Sequence, residues 1–145
     1  MKKLLFILML VLVLLNSAGI VRAKEPYVYA YIPQSKVNLG TISIWDSVIP
    51  EAMTLKINSN CLHGPVVASI SSLKNSLGNE ITSDRIFIKT PFTDGFVSMA
   101  KPVAISKPAI GSHDIVIDFK VKAIEFNEPA GKYSGTLVFT VMAAF

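Results

Sequence analysis

"HDIVIDFKVKAI", His113–Ile124, is the stretch on which the fold turns. Ile115, Ile117, Phe119, Val121 and Ala123 are apolar, and Asp114, Asp118, Lys120 and Lys122 fall between them. Successive side chains of a strand point to opposite faces, so this period of two predicts a half-buried strand with a charged outer side. The end of the chain, "PAGKYSGTLVFTVMAAF", Pro129–Phe145, repeats the signal: Tyr133, Leu137, Phe139, Val141 and Phe145 share one face, and Ser134, Thr136 and Thr140 the other. Asn127, Pro129 and Gly131 in the connection are turn formers, so the two strands are either antiparallel neighbours or cross between two sheets.

Shorter copies of the pattern precede them. Tyr27–Ile32, Val37–Trp45, the alternating Met53, Leu55 and Ile57, Val66–Leu73, Arg85–Lys89, Phe96–Ala100 and Val103–Ser106 each have strand length and composition. Gly78-Asn79, Thr93-Asp94-Gly95, Pro102 and Pro108 punctuate them, and Lys74–Asp84, the most polar stretch, is expected as a long surface loop. No segment sustains a period of 3.6 over three turns, and the 8 prolines are spread along the chain. The expectation is an all-β, single-domain, immunoglobulin-like or pilin-like antiparallel β-sandwich of about seven to nine strands, with a closed barrel as the lesser option.

Residues 1–23 stand apart from this pattern. Lys2 and Lys3 flank the apolar run Leu4–Leu15, and Val21-Arg22-Ala23 offers a cleavage site, so a signal peptide over 1–23 and a β-sandwich domain over 24–145 are expected. The alternative is a retained leader acting as a membrane anchor, since Leu4–Val21 is nearly long enough to span a bilayer. The expected location is exported: periplasmic, extracellular or cell surface.

Loss of the leader lowers the 14 basic residues to 11, against 10 acidic ones, and leaves 122 residues, enough for one core. A nearly neutral chain gives no argument for nucleic acid or an acidic membrane surface as partner. Cys61, the sole cysteine, has no internal partner; it is either a buried thiol or an intermolecular or reactive one.

The search for chemistry is mostly negative. Ser112-His113-Asp114 has the letters of a triad, but neighbours on a strand diverge. Cys61 and His63 are spaced i, i+2, and a structural zinc would need further ligands that only His113 could begin to supply, so no metal and no cofactor are expected and His63-Gly64-Pro65 reads as a turn, with an adventitious or copper-type site as the remaining alternative. Asp114 and Asp118 share a face with Lys120 and Lys122 and read as a solvated mixed-charge surface. The expectation is a protein that is not an enzyme.

Tyr27, Tyr29 and Tyr31 form an aromatic stripe opposite Val28, Ala30 and Ile32. These six are the candidate strand-exchange or partner contacts, with Cys61 as a candidate intermolecular thiol. The stripe reads first as an edge or core stripe formed for ordinary packing reasons, and the lesser reading is a ligand platform with Trp45 as a further contact.

"EPAGKYSGTLVFTVMAAF", Glu128–Phe145, resembles the terminal strand of secreted bacterial pilin-like domains, including spore coat protein U-type and related fimbrial modules. "VNLGTIS", Val37–Ser43, is similar to their early strand. The chain departs from pilins assembled by chaperone and usher in lacking a cysteine pair and in having Ala144 where an aromatic residue is common. The resemblance implies strand addition, in which an extended segment of one subunit fills a groove in another. Lys24–Gln34 is the segment of this chain that could donate, or it is the molecule's own first strand.

The resulting expectation is an exported structural or adhesive surface subunit, pilus- or coat-like. It would associate through strands with a protein partner, including its own copies. A small secreted carbohydrate- or ligand-binding module and a membrane-anchored accessory domain are the alternatives.

Overall fold

A computed structural model describes residues 24–34, 36–125 and 128–142. The expected signal peptide, residues 1–23, and the final aromatic residue Phe145 lie outside the described residues. Among the described residues no helix is long and apolar enough to cross a membrane.

The fold is all-β and antiparallel, consistent with a sandwich. Among the described residues it has ten strands: β1 Val28–Tyr31, β2 Ser47–His63, β3 Val67–Ile70, β4 Leu73–Lys74, β5 Glu80–Ile81, β6 Ile86–Lys89, β7 Val97–Ser98, β8 Val103–Ala104, β9 Ala109–Val121 and β10 Leu137–Thr140. One sheet has the order β1-β2-β9-β6-β7, a second β10-β3-β8, and β4 and β5 form a small hairpin. The closing strand therefore crosses to the sheet opposite β9, the second of the two arrangements open to the sequence.

The centre is the long β2–β9 pair. Met53, Leu55, Ile57 and Ser59 on β2 and Ile115, Ile117, Phe119 and Val121 on β9 are all buried, the period of two made real. They meet Ala68 of β3, Val103 of β8, and Val66, Ile105, Leu73 and Ile81 from the opposite side. Burial of such side chains stabilises by roughly 1.5–3 kcal/mol each before chain entropy is set against it.

β2 was legible only at its middle, because two irregularities interrupt it. Between the pairs Ile49↔Phe119 and Met53↔Ile117, three β2 residues oppose Asp118 alone. Pro50, which has no N–H to give a ladder, sits in this bulge. Glu51 adopts φ 47°, and its N–H donates to Asp118 Oδ1 at 2.8 Å, replacing the lost ladder bond. The second bulge lies between Ser59↔Gly111 and His63↔Ala109, with Gly111 at φ 96°.

Three sequence expectations are corrected. The strand count is ten, above seven to nine, because the polar stretch Lys74–Asp84 is not one loop: it holds the end of β4, all of β5 and the start of a 3-10 turn, Ser83–Arg85. Val37–Trp45 forms no strand; Val37, Leu39 and Ile42 pack against the core while the segment's backbone joins no sheet. Val66–Leu73 splits into β3 and β4, with Ser71 N–H donating to Thr136 O at 2.9 Å beside the break.

The crossing from β9 to β10 is held by a buried cation. Arg85 is 7% exposed, pairs with Glu128 and donates to the carbonyls of Ala123 and Lys122. A guanidinium can satisfy several acceptors at once, which makes it the side chain suited to fix such a loop. Gly135 then leads into β10 through a gap in which a Cβ would lie 2.7 Å from Leu73 Cδ2.

Candidate functional site

Among the described residues four strands lie at the edges of the two large sheets, the two-residue β7 and β8 and the four-residue β1 and β10, and the longer pair offers the more backbone. β1 pairs with β2 alone, Val28↔Ser59 to Tyr31↔Lys56, and β10 with β3 alone, Leu137↔Ile70 to Thr140↔Val67. Asn60 N–H donates to Tyr27 O at 3.3 Å, so by alternation Tyr27, Tyr29 and Tyr31 bond toward β2. The N–H groups of Val28 and Ala30 face the free edge. In β10 the bond from Ser71 N–H to Thr136 O sets the same alternation, and Leu137 and Phe139 turn their backbone groups outward.

Natural edges are usually blunted by lysine, proline, bulges or inward charges. "LVFT" of β10 and "VYAY" of β1 contain none of these, although Pro26 and Pro33 limit the length of β1. The inward residues beside β10 are also incompletely covered: Leu137, Phe139 and Val141 are half-buried, where Ile115, Ile117 and Phe119 of β9 are at most 1% exposed.

Lys24–Gln34 contains the molecule's own first strand. Val28 and Ile32 pack on the core, Ala30 faces the same way but is exposed, and Tyr27, Tyr29 and Tyr31 project from the outer face at 45%, 60% and 44% exposure. The Tyr29 and Tyr31 rings lie 5.6 Å apart. Registered neighbours extend this face inward along the sheet: Tyr29, Asn58 and Ser112 form one row, and Tyr31, Lys56 and Asp114 the next. Sequence reasoning found the tyrosines but missed Lys56, Asn58 and Asn60. Their regular placement between Leu55, Ile57 and Ser59 was the signal that they share the outer face of β2.

The other candidates disperse. His113 turns inward while Ser112 and Asp114 are exposed, so no triad forms. Asp114 pairs with Lys56 at 3.3 Å and Asp118 with Lys89 at 3.9 Å, the solvated mixed-charge surface read from the sequence. Trp45 is 74% exposed beyond the sheet. Asp46 next to it accepts from Lys120 at 2.8 Å and from Ala123 N–H at 3.0 Å, and these two bonds, the lysine's first, hold its carboxyl below the ordinary aspartate range.

Cys61 is half-buried, its Sγ 3.5 Å from Tyr27 O. The histidines, distant in sequence, meet in the core: the rings of His63 and His113 lie 5.2 Å apart and nearly parallel, and His63 Nδ1 is 2.7 Å from Gly64 O. Among the described residues, no group of three or more His, Cys, Asp or Glu side chains is placed to hold a metal. A shallow depression of about 520 Å³ lies beside the Lys74–Glu80 pair, lined by hydroxyls of Ser71, Ser72, Ser134 and Thr136.

No family model and no curated protein matches the chain. Among solved structures it is similar to a family 123 glycoside hydrolase from Clostridium perfringens, a structure described for glycolipid glycan hydrolysis. Identity is 17%, the TM-score is 0.42, and the match covers 79% of this chain and 24% of the hydrolase. This chain thus spans about a quarter of that enzyme's length. The likeness overturns the expectation that the protein is not an enzyme, and that expectation is withdrawn. At this TM-score it assigns no hydrolysis to the chain either.

Proposed function

We propose that the protein is an exported surface subunit, structural or adhesive, that associates with its own copies through strand edges. The free edge of β1 in one subunit pairs with the free edge of β10 in the next. What supports this reading is the closing strand: among the described residues "LVFT" pairs on one side only, carries no protective residue, and leaves its inward side chains half-covered.

Such a joint pairs two different edges, since each subunit presents one β1 and one β10. Propagated in one direction it gives rings or open filaments, and made reciprocally about a twofold axis it gives a closed dimer. Val28, Ala30 and Ile32 are the contact residues at the β1 side, and β1 stays paired to β2 while it recruits the neighbour.

The test is light scattering coupled to size exclusion across a concentration series, with and without reductant. Ala30→Pro removes an outward N–H and leaves the bonds to β2 intact, because proline is tolerated where the N–H faces away from the sheet. Val138→Lys, at a residue 48% exposed, places a charge on the β10 edge. Wild type is expected to form larger species that persist in reductant and that either substitution abolishes. A monomer at every concentration contradicts the reading, and species dissolved by reductant assign association to Cys61 instead.

A further inference from the structure

We propose that the outer face of the five-stranded sheet at its β1 margin binds a neutral polysaccharide built of flat, equatorially substituted pyranose units. The proposal does not rest on self-association, because a strand edge recruits in the plane of the sheet while this face projects perpendicular to it.

The argument starts from the register. Tyr29 opposes Asn58 and Tyr31 opposes Lys56, and directly opposed residues of antiparallel strands share a face. Tyr27 joins the same face through Asn60, whose Oδ1 accepts from Tyr27 N–H at 2.7 Å. Ser112 and Asp114 of β9 continue the two rows. The result is a strip with aromatic rings along its margin, those of Tyr29 and Tyr31 tilted by 33° to each other, and amide, hydroxyl and charged groups inside it.

Composition of the strip selects the ligand. A pyranose with equatorial substituents has an apolar C–H face and a rim of hydroxyls that both donate and accept. Exposed aromatic rings offer the first a surface with little conformational entropy to lose, and the Asn58 amide offers the second a donor and an acceptor on one side chain, the Asn60 amide being taken up by Tyr27 N–H and the Glu25 carbonyl. Tyrosines on one side of a strand recur at every second residue, so they form a linear track suited to successive sugars of one chain.

Charge excludes the alternatives. Lys56 and Asp114 are the charged groups of these two rows, and they are bridged to each other at 3.3 Å. A polyanion meets no free cation on the strip and a polycation no free anion, so the complementary ligand is uncharged. Both charged groups keep hydrogen-bonding capacity for hydroxyls.

The face is tested by titrating the full mature chain with cellohexaose and with chitohexaose, read by tyrosine fluorescence and by amide NMR shifts, with oligogalacturonate as the anionic probe. The expected result is saturable binding of at least one neutral hexasaccharide, with shifts centred on Tyr29, Tyr31 and Asn58. Tyr29→Ala with Tyr31→Ala should weaken it by about tenfold or more, as loss of aromatic anchors does. Asn58→Ala, which leaves β1 untouched, should weaken it severalfold, and Leu77→Ala, at an 81% exposed position away from these rows, should leave it unchanged. No saturable response to either neutral probe overturns the proposal. So does undiminished binding by the tyrosine variant, or binding of oligogalacturonate alone.

Discussion

The centre of the sandwich and its β10 edge are built to different standards. Around β2 and β9, Ile115, Ile117, Phe119, Leu55 and Ile57 are sealed on all sides, at 2% exposure or less. Around β10, Leu137, Phe139 and Val141 point inward and stay half-buried, and Val37, Leu39 and Ile42 pack on the core from a segment that joins no sheet. The first region needs nothing beyond this chain. The second has inward side chains that stay half-buried and, among the described residues, an outer strand paired on one side only, which is what the proposed association builds on.

The largest effect should separate these regions. Phe119→Ala removes a ring 1% exposed and is expected to cost about 3–5 kcal/mol of unfolding free energy in urea, whereas Phe139→Ala, already half-exposed, should cost less than half as much in the monomer. Equal losses would break the contrast. Removing Glu128 by Glu128→Ala strands the buried Arg85 guanidinium and should cost about 3 kcal/mol in the same measurement, since one partner of a buried pair is left uncompensated.

Gly135→Ala comes next. The added Cβ would meet Leu73 Cδ2 at 2.7 Å and the Ser71 carbonyl oxygen at 3.2 Å, so a loss of about 1–3 kcal/mol is expected, with amide-exchange protection falling first in β10. Protection lost equally in β2 and β9 would mean that the two regions do not differ in cooperativity.

The smallest effect is with acid. The Asp46 carboxyl titrates below its ordinary value of 3.8 because of Lys120 and then Ala123 N–H. A carboxylate depressed in the fold contributes stability that is full above its unfolded pKa and is lost as pH falls through the folded one. Below the ordinary aspartate range the tie between Asp46 and the end of β9 should therefore loosen, read as a larger NMR shift change at Ala123 than in Asp46→Asn. An identical profile in that variant would remove Asp46 from the account.

The sequence disclosed the fold class through period-two runs such as Ile115 to Ala123, because an alternating face is a local property. It disclosed only the middle of β2, since Pro50 and the bulges at Glu51 and Asn60–Leu62 mask a continuous strand whose repair comes from Asp118, remote in the chain. Val37–Trp45 shows the converse: its composition predicts a strand, but a strand also requires a neighbour to pair with, and composition cannot supply one. The tyrosine stripe was legible and its companions on β2 and β9 were not, because register between strands is set by bulges and not by any one segment. The same holds for His63 and His113, brought together only by the β2–β9 pairing.

One mixing experiment tests the central claim most directly. Ala30→Pro blocks the β1 edge and keeps β10, and Val138→Lys blocks β10 and keeps β1, so each variant alone should be a monomer and an equimolar mixture should form a one-to-one dimer by light scattering. A mixture that stays monomeric, or either variant forming dimers alone, would contradict pairing of β1 with β10.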